Sequence, residues 1–297
     1  MMDMRVLEKI RNRTARVRQH RWRVRPYQSL QRHVVMGGSP RSGTTLLRRI
    51  VDRHPAMSCG PEMGLFVPTR WQFDPLAAMS GLPAADLREM FEASPSQGAF
   101  IDAFAGRYLE LREKPRWAEK TPLNVRHFGW ILQRFPEARL VHLIRDGRDV
   151  ICSAAKHPDR YWVDGRWVWR PRPHRLQDLA RAWVADTGSG MRFRGDARYH
   201  EVRYEDLVTQ PETTLRQLCD FLGEPFDARL LETEDERPAM PTESLATGGV
   251  PAPSDRGPVF THSIGRWRQD LPPAELPAIL RICGDRLAEL GYSDGGR

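Results

Sequence analysis

Two short segments carry the residue types that recognise phosphate. The first is Gly37-Gly38-Ser39-Pro40-Arg41-Ser42-Gly43-Thr44-Thr45. A glycine-rich turn of this kind lines up successive backbone N–H groups. Together with the N-terminus of a following helix they attract phosphate oxygens. Gly43 permits close backbone approach, Thr44 and Thr45 add hydroxyl donors, and Arg41 adds a cation. Gly38 and Gly43 have the spacing of the nucleotide-triphosphatase loop G-x-x-x-x-G-K-[ST], but Thr44 stands where that loop has lysine. The cradle is kept and the triphosphatase lysine is absent. The second segment runs from Arg145 to Ser153 (RDGRDVICS). The planar fork of Arg145 suits paired hydrogen bonds to phosphate, and Ser153 follows in the same segment. Together the two segments point to a ligand with two separate phosphate groups. The plainer alternatives are an ordinary tight strand–helix turn for the first and an Arg–Asp surface network for the second, since Asp146, Arg148 and Asp149 are adjacent.

The elements that must position these groups follow from the hydrophobic pattern. Residues 33–37 (HVVMG) are a short apolar run entering the glycine turn, as a buried strand does. After the turn, Leu46, Leu47, Ile50 and Val51 have helical spacing, and Pro55 stops the helix. Residues 138–144 (ARLVHLI) are a second strand, and 145–157 continue as a helix with Val150, Ile151 and Ala154 on one face. A third unit has strand-like 200–207 (HEVRYEDL) followed by a helix over 211–223, with Pro211 in its first turn and Gly223 just past its end. A last helix is expected over 272–291. Strands alternating with helices predict a three-layer α/β fold, P-loop-like, with a central parallel sheet flanked by helices. The ligand groups then sit at the carboxyl edge of that sheet.

Composition sets the remaining bounds. The chain has 297 residues, 40% hydrophobic and 28% charged, an ordinary soluble balance able to bury a real core. The net charge of +8 sits entirely in the first 35 residues, which hold ten basic and two acidic side chains. A globally basic, nucleic-acid-coating surface is therefore not expected. The organisation expected is a basic arm over 1–32 and a single domain over 33–297, with 237–262, rich in Pro, Gly, Ser and Thr, as a long mobile loop. The arm is either a solvated, frayed extension or a weak contact for an acidic surface. No secretory signal or membrane span is visible. The four cysteines are far apart, fitting reduced thiols and a cytoplasmic location. No cluster has metal-ligand spacing, so no metal site is expected. Residues 157–174 gather three of the nine tryptophans with Arg and Pro. They form either an acceptor site for a ring or core packing.

PRSGTT after a strand, followed by RDGRDVICS, resembles the 5′- and 3′-phosphate motifs of sulfotransferases that use 3′-phosphoadenosine-5′-phosphosulfate (PAPS). The loop continues as TTLLRRIVDRHPAMSCGPE and the chain closes with SIGRWRQDLPPAEL, both similar to the protein-tyrosine sulfotransferase branch and its bacterial relatives. The resemblance spans roughly residues 33–292. It implies an enzyme that moves a sulfuryl group in line from PAPS to an acceptor hydroxyl, releasing adenosine 3′,5′-bisphosphate (PAP). It implies that Arg41, Ser42, Gly43, Thr44 and Thr45 hold the 5′ end, that Arg145 and Ser153 hold the 3′-phosphate, that Tyr204 contacts the nucleotide, and that Arg266 is a further 3′-phosphate ligand. Glu62 takes the place of the general base, although the branch commonly has two acidic residues here and this chain has Pro61 then Glu62. Lys120 in WAEKTP, one of only four lysines, takes the place of the cation that meets charge on the leaving phosphate, with Arg41 assisting. Either Ser254 or Ser263 takes the place of a transition-state serine. The plainer roles are a surface glutamate for Glu62 and an ion pair with Glu119 for Lys120. The acceptor stays open among a natural product, a carbohydrate and a tyrosine, and a homodimer is among the expected partners. The competing reading is a P-loop-type kinase or other nucleotide-binding protein, disfavoured by the missing loop lysine and the lack of a clear Mg²⁺-binding carboxylate motif.

Overall fold

The computed structural model of the chain describes residues 22–68, 72–171, 173–232 and 263–292. Its strands are β1 (Val34–Gly38), β2 (Met57–Cys59), β3 (Arg116–Lys120), β4 (Arg139–Ile144), β5 (Asp159–Val163), β6 (Arg166–Arg170) and β7 (Tyr199–Arg203). Its α-helices are α1 (Thr44–Arg53), α2 (Phe73–Ser80), α3 (Ala84–Ala93), α4 (Gln97–Arg112), α5 (Phe128–Arg134), α6 (Gly147–Ala155), α7 (Leu176–Met191), α8 (Tyr204–Thr209), α9 (Pro211–Leu222), α10 (Trp267–Asp270) and α11 (Leu276–Glu289). Five strands form one parallel sheet in the order β2-β3-β1-β4-β7. The expected three-layer α/β architecture is what the chain adopts.

Strand alternation sorts the core. Val34, Met36, Ala118, Val141 and Leu143 pack on one face with Leu47, Ile50 and Val51 of α1 and Leu215 and Leu218 of α9. Val35, Trp117 and Leu140 point to the other face, against Phe100 and Phe104 of α4 and Phe128. This two-residue period also fixes the end of β3: Glu119 falls in phase with Trp117, and Lys120 in phase with Ala118, on the side of α1. A third cluster joins Ile151, Trp183, Ile279 and Cys283 of α6, α7 and α11. Cys59, Cys152, Cys219 and Cys283 are all buried, and none of them forms a disulfide. Among the described residues, no helix is long and apolar enough to cross a membrane.

Because β1, β4 and β7 are neighbours and run the same way, their carboxyl ends deliver the 39–43 turn, Arg145 and Tyr204 to one stretch of the sheet edge. The expected strand over 200–207 stops at Arg203, and Tyr204 opens α8 instead. The last helix is Leu276–Glu289, inside the expected 272–291.

Two segments differ from the sequence reading. The described end of the arm is docked rather than frayed. Trp22 is buried against Phe91 and Phe100, and its indole N–H donates to the carbonyl of Ser94 at 2.9 Å. Tyr27 and His33 both reach the carboxylate of Asp102 at 2.6 Å. The tryptophan-rich stretch belongs to none of the three core clusters. It forms an antiparallel hairpin, β5–β6, turned at Asp164 and Gly165, whose positive φ of 48° and 76° suits a two-residue hairpin turn. The expected loop over 237–262 lies outside the described residues.

Candidate active site

The turn after β1 is built for close approach. Gly43 sits at φ 94° and a Cβ there would lie 2.4 Å from Cδ2 of Tyr204. Such a conformation favours glycine. Arg41 also has positive φ, 74°, which turns the chain back between Ser39 and Gly43. Gly43 caps α1 without a side-chain hydrogen bond, and the first turn contains no acidic residue. The positive end of the helix is thus left for an anion. Ser42 is buried, and its hydroxyl has no hydrogen-bond partner among the described residues.

The second segment meets the first directly. Arg41 Nε donates to Ser153 Oγ at 3.2 Å, across 112 residues of sequence. Arg145 Nη1 donates to the carbonyl of Arg41 at 3.3 Å. Arg145 is only 5% exposed, its guanidinium stacks on the Tyr204 ring with Cζ 4.3 Å from the centroid, and among the described residues its Nε has no hydrogen-bond partner. Buried polar groups are rarely left unsatisfied. The Ser42 hydroxyl and the Arg145 Nε–H therefore mark places where a bound anion would complete the bonding. Arg41, Gly43, Arg145, Ser153 and Tyr204 form one connected site at the sheet edge.

Behind Arg145 lies a supporting layer. Trp183 Nε1 donates to the carbonyl of Arg145 at 3.2 Å. Asp149 accepts from the backbone N–H of Gly265 at 2.8 Å and of Trp267 at 2.9 Å, fastening the C-terminal segment to α6. Arg145 Nη2 donates to the carbonyl of Ser263 at 2.5 Å. Ser263 therefore reaches the site through its backbone, while Ser254 lies outside the described residues. Arg266 is held by Asp270, at 2.7 Å from Nε and 2.6 Å from Nη2, and Asp270 is shared with Lys156 at 3.1 Å. The fold thus brings the backbone on either side of Arg266 to Asp149, while its guanidinium is engaged one turn along its own helix.

Glu62 and Lys120 come together at the end of β3. Lys120, 2% exposed, pairs with Glu62, whose side chain is 39% exposed, and its Nζ also reaches Thr45 Oγ1 at 3.4 Å. The pairing with Glu119 does not form, because strand alternation sends Glu119 to the other face. Burial pushes the Glu62 carboxyl upward, but Lys120, then Arg160 and Arg41, outweigh it and hold it below the ordinary glutamate value. Glu62 is thus an ionised, partly open carboxylate within the electrostatic reach of Arg41 in the 39–43 turn. Glu119 behaves in the opposite way: burial pushes it up to about 7 against the hydrogen bonds from Thr121 and Asn124.

Arg160 was not among the residues singled out in the sequence. Its guanidinium lies 4.1 Å from the Trp167 ring centroid and 4.0 Å from Met79 Sδ, and its charge acts on Glu62. A cation inside the tryptophan-rich stretch was the available signal. Among the described residues, no group of three or more His, Cys, Asp or Glu side chains is arranged to hold a metal ion.

Comparison with known proteins agrees with this architecture. A family model described as the sulfotransferase family matches residues 33–228. The protein-tyrosine sulfotransferase of Drosophila melanogaster is 26% identical over 274 residues, which cover 87% of this chain and 51% of the fly protein. The chain thus spans about half the length of that relative. Among solved structures, the sulfotransferase domain of the curacin biosynthetic pathway superposes with a TM-score of 0.62 at 19% identity, covering 90% of this chain and 99% of that one. Mouse sulfotransferase SULT7A1, solved with PAP, superposes at 0.50 and 13% identity, covering 89% and 88%. These likenesses establish a shared fold.

Proposed function

The chain belongs to the sulfotransferase family, and from that premise we propose that it transfers a sulfuryl group from PAPS to an acceptor hydroxyl, with Glu62 as general base. The observation that carries this reading is the direct joining of two anion-binding segments, through Arg41 to Ser153 and Arg145 to the Arg41 carbonyl. A ligand with phosphate at both ends of a nucleoside matches two such segments, and the PAP found in the mouse relative is one.

PAPS, when bound, supplies a sulfuryl group already attached to a phosphate leaving group. The chain's own residues do the rest. The 39–43 turn and the Ser42, Thr44 and Thr45 hydroxyls hold the 5′ end. Arg145 and Ser153 hold the 3′-phosphate, and Tyr204, stacked under Arg145, orients the nucleoside. Arg266 has its guanidinium on Asp270, and Asp149 keeps the segment around it beside this end through the Gly265 and Trp267 amides. Glu62 accepts the proton of the acceptor hydroxyl. Its lowered pKa keeps it ionised at neutral pH, and its partial exposure leaves it reachable. Lys120 and Arg41 oppose the negative charge that builds on the leaving phosphate. One such preorganised donor is worth about 2.7–4 kcal/mol in the transition state.

The β5–β6 hairpin supports an acceptor that carries a ring. The pairs Arg160↔Trp169 and Trp162↔Trp167 share one face of the hairpin. On that face Trp162 and Trp167 meet edge to face at 5.0 Å. Arg160, whose charge reaches Glu62, belongs to the same face. A ring lying against these indoles would present its hydroxyl toward the base.

The test is incubation with PAPS and a panel of phenolic, sugar and tyrosine-peptide acceptors, read by mass spectrometry. The expected product is an acceptor heavier by one SO₃. Glu62→Gln is expected to slow its formation by about 10²–10⁴-fold while PAP still binds. Full activity in Glu62→Gln would remove Glu62 from the role.

A further inference from the structure

The loop that carries Glu62 is held by a buried relay that reaches back to β3. Thr121 accepts the backbone N–H of Gly64 at 3.0 Å on its hydroxyl oxygen. The same hydroxyl donates to Glu119 Oε1 at 2.6 Å. The other oxygen, Glu119 Oε2, accepts from the side-chain amide of Asn124, and that amide also donates to the carbonyl of Met36 at 3.1 Å, in the strand that leads into the phosphate turn. Glu119 is 2% exposed and Asn124 is fully buried. One buried carboxyl therefore connects the base loop, two residues past Glu62, with the strand end that launches the 39–43 turn. These two units must keep a fixed separation if a base and a bound donor are to meet an acceptor in line.

We propose that Glu119 is the positioning residue of the base: acting through the Thr121 hydroxyl, it holds the Gly64 amide and with it the loop that aims Glu62 at the acceptor. This rests on the reading of Glu62 as general base. Glu119 does not touch Glu62, since Lys120 separates them. Its action runs through the hydroxyl, whose single proton must point at the carboxylate so that a lone pair faces Gly64 N–H.

Protonation of Glu119 changes that direction. A carboxylic acid at Oε1 would donate to Thr121 and turn the hydroxyl proton away, and one at Oε2 would oppose the Asn124 donor. The titratable and charged groups around Glu119 are Lys120 on its own strand, Glu62 on the facing loop and the Cys59 thiol on β2. Burial places the Glu119 transition near neutrality, with the value pushed up to about 7, while Glu62 titrates below its ordinary value. An acid limb near neutrality in the turnover profile therefore belongs to Glu119 and not to the base.

The test uses the full chain and the variants Glu119→Gln, Thr121→Val and Thr121→Ser. The first readout is hydrogen–deuterium exchange of peptides covering 60–67 in the free protein, which needs no acceptor. Thr121→Val and Glu119→Gln are expected to speed exchange there by about tenfold, the equivalent of one lost hydrogen bond, and Thr121→Ser to restore it. The second readout is PAP release from PAPS with the pooled acceptor panel. The same two variants are expected to lower kcat by about 10–100-fold, with PAP affinity unchanged and with the acid limb absent in Glu119→Gln. Unchanged exchange in both variants overturns the proposal. So does faster exchange with full turnover, provided Glu62→Gln has slowed turnover as expected. If the native chain sulfates nothing in the pool, the sulfuryl-transfer reading falls, while the exchange result still decides whether Glu119 holds the loop.

Discussion

Gly43→Ala is a single methyl group placed where the two segments of the candidate site touch, and its cost follows from two independent quantities. Gly43 has φ 94°, outside the range an L side chain adopts without strain, which costs about 1–2 kcal/mol. The added Cβ would lie 2.4 Å from Tyr204 Cδ2 and 2.9 Å from Cε2, so the ring must move by roughly 1 Å to restore van der Waals contact. The ring is not free to do so, because the Arg145 guanidinium stacks on it at 4.3 Å and Tyr204 is buried. Overpacking of this kind adds about 1–3 kcal/mol. The sum, about 2–5 kcal/mol, corresponds to a fall in Tm of roughly 4–20 °C for a domain of this size. The displaced ring also disturbs Arg145, so PAP affinity should fall with stability. The assay is thermal unfolding with and without PAP. Gly106→Ala in α4 is the control, since nothing lies within 4 Å of a Cβ there. That change should stabilise the helix by about 0.5–1 kcal/mol. A Gly43→Ala protein with native Tm and native PAP affinity would refute the packing argument for the turn.

Other changes separate the roles of the remaining side chains. Lys120→Ala should lower turnover by about 10²–10³-fold with little effect on PAP binding, as measured by steady-state kinetics and titration. It also removes the main influence holding Glu62 down and leaves burial pushing it up. Measured in the Glu119→Gln background, where the Glu119 limb is absent, the acid limb due to Glu62 should then move to higher pH, and a limb that keeps its position would exclude the pairing. Trp162→Ala should raise the acceptor KM by about 3–10-fold, the worth of one aromatic contact, and leave PAP affinity unchanged. A change in donor affinity instead would detach the hairpin from the acceptor.

The parts of the site legible in the sequence are those encoded by local spacing. Gly38 and Gly43 stand out by their spacing, Gly43 required by its positive φ and Gly38 by the Leu143 carbonyl that a Cβ would meet at 2.3 Å, and the strand and helix on either side have clear apolar periods. Arg145 and Ser153 were legible for the same reason, and the parallel order β1-β4-β7 follows once the strands are placed. The pairing of Glu62 with Lys120, separated by 58 residues, is tertiary and has no local signal. Strand β3 escaped because its last two residues, Glu119 and Lys120, are charged. They are buried only because each finds partners on its own side of the sheet. The hairpin was hidden by tryptophan and arginine in a segment whose half-exposed faces give no clean alternation. Trp22 was lost in an arm read by its charge, although a lone indole there can anchor the chain against α3 and α4.

The most direct measurement is calorimetric titration of the full chain with PAP in the absence of divalent metal, beside Mg-ATP and adenosine 5′-monophosphate. One PAP is expected to bind per chain, adenosine 5′-monophosphate much more weakly because it lacks the 3′-phosphate proposed to sit on Arg145 and Ser153, and Mg-ATP not at all. PAP and adenosine 5′-monophosphate of equal affinity, or tight binding of Mg-ATP alone, would contradict the assignment of two joined anion pockets to one 3′,5′-bisphosphorylated nucleoside.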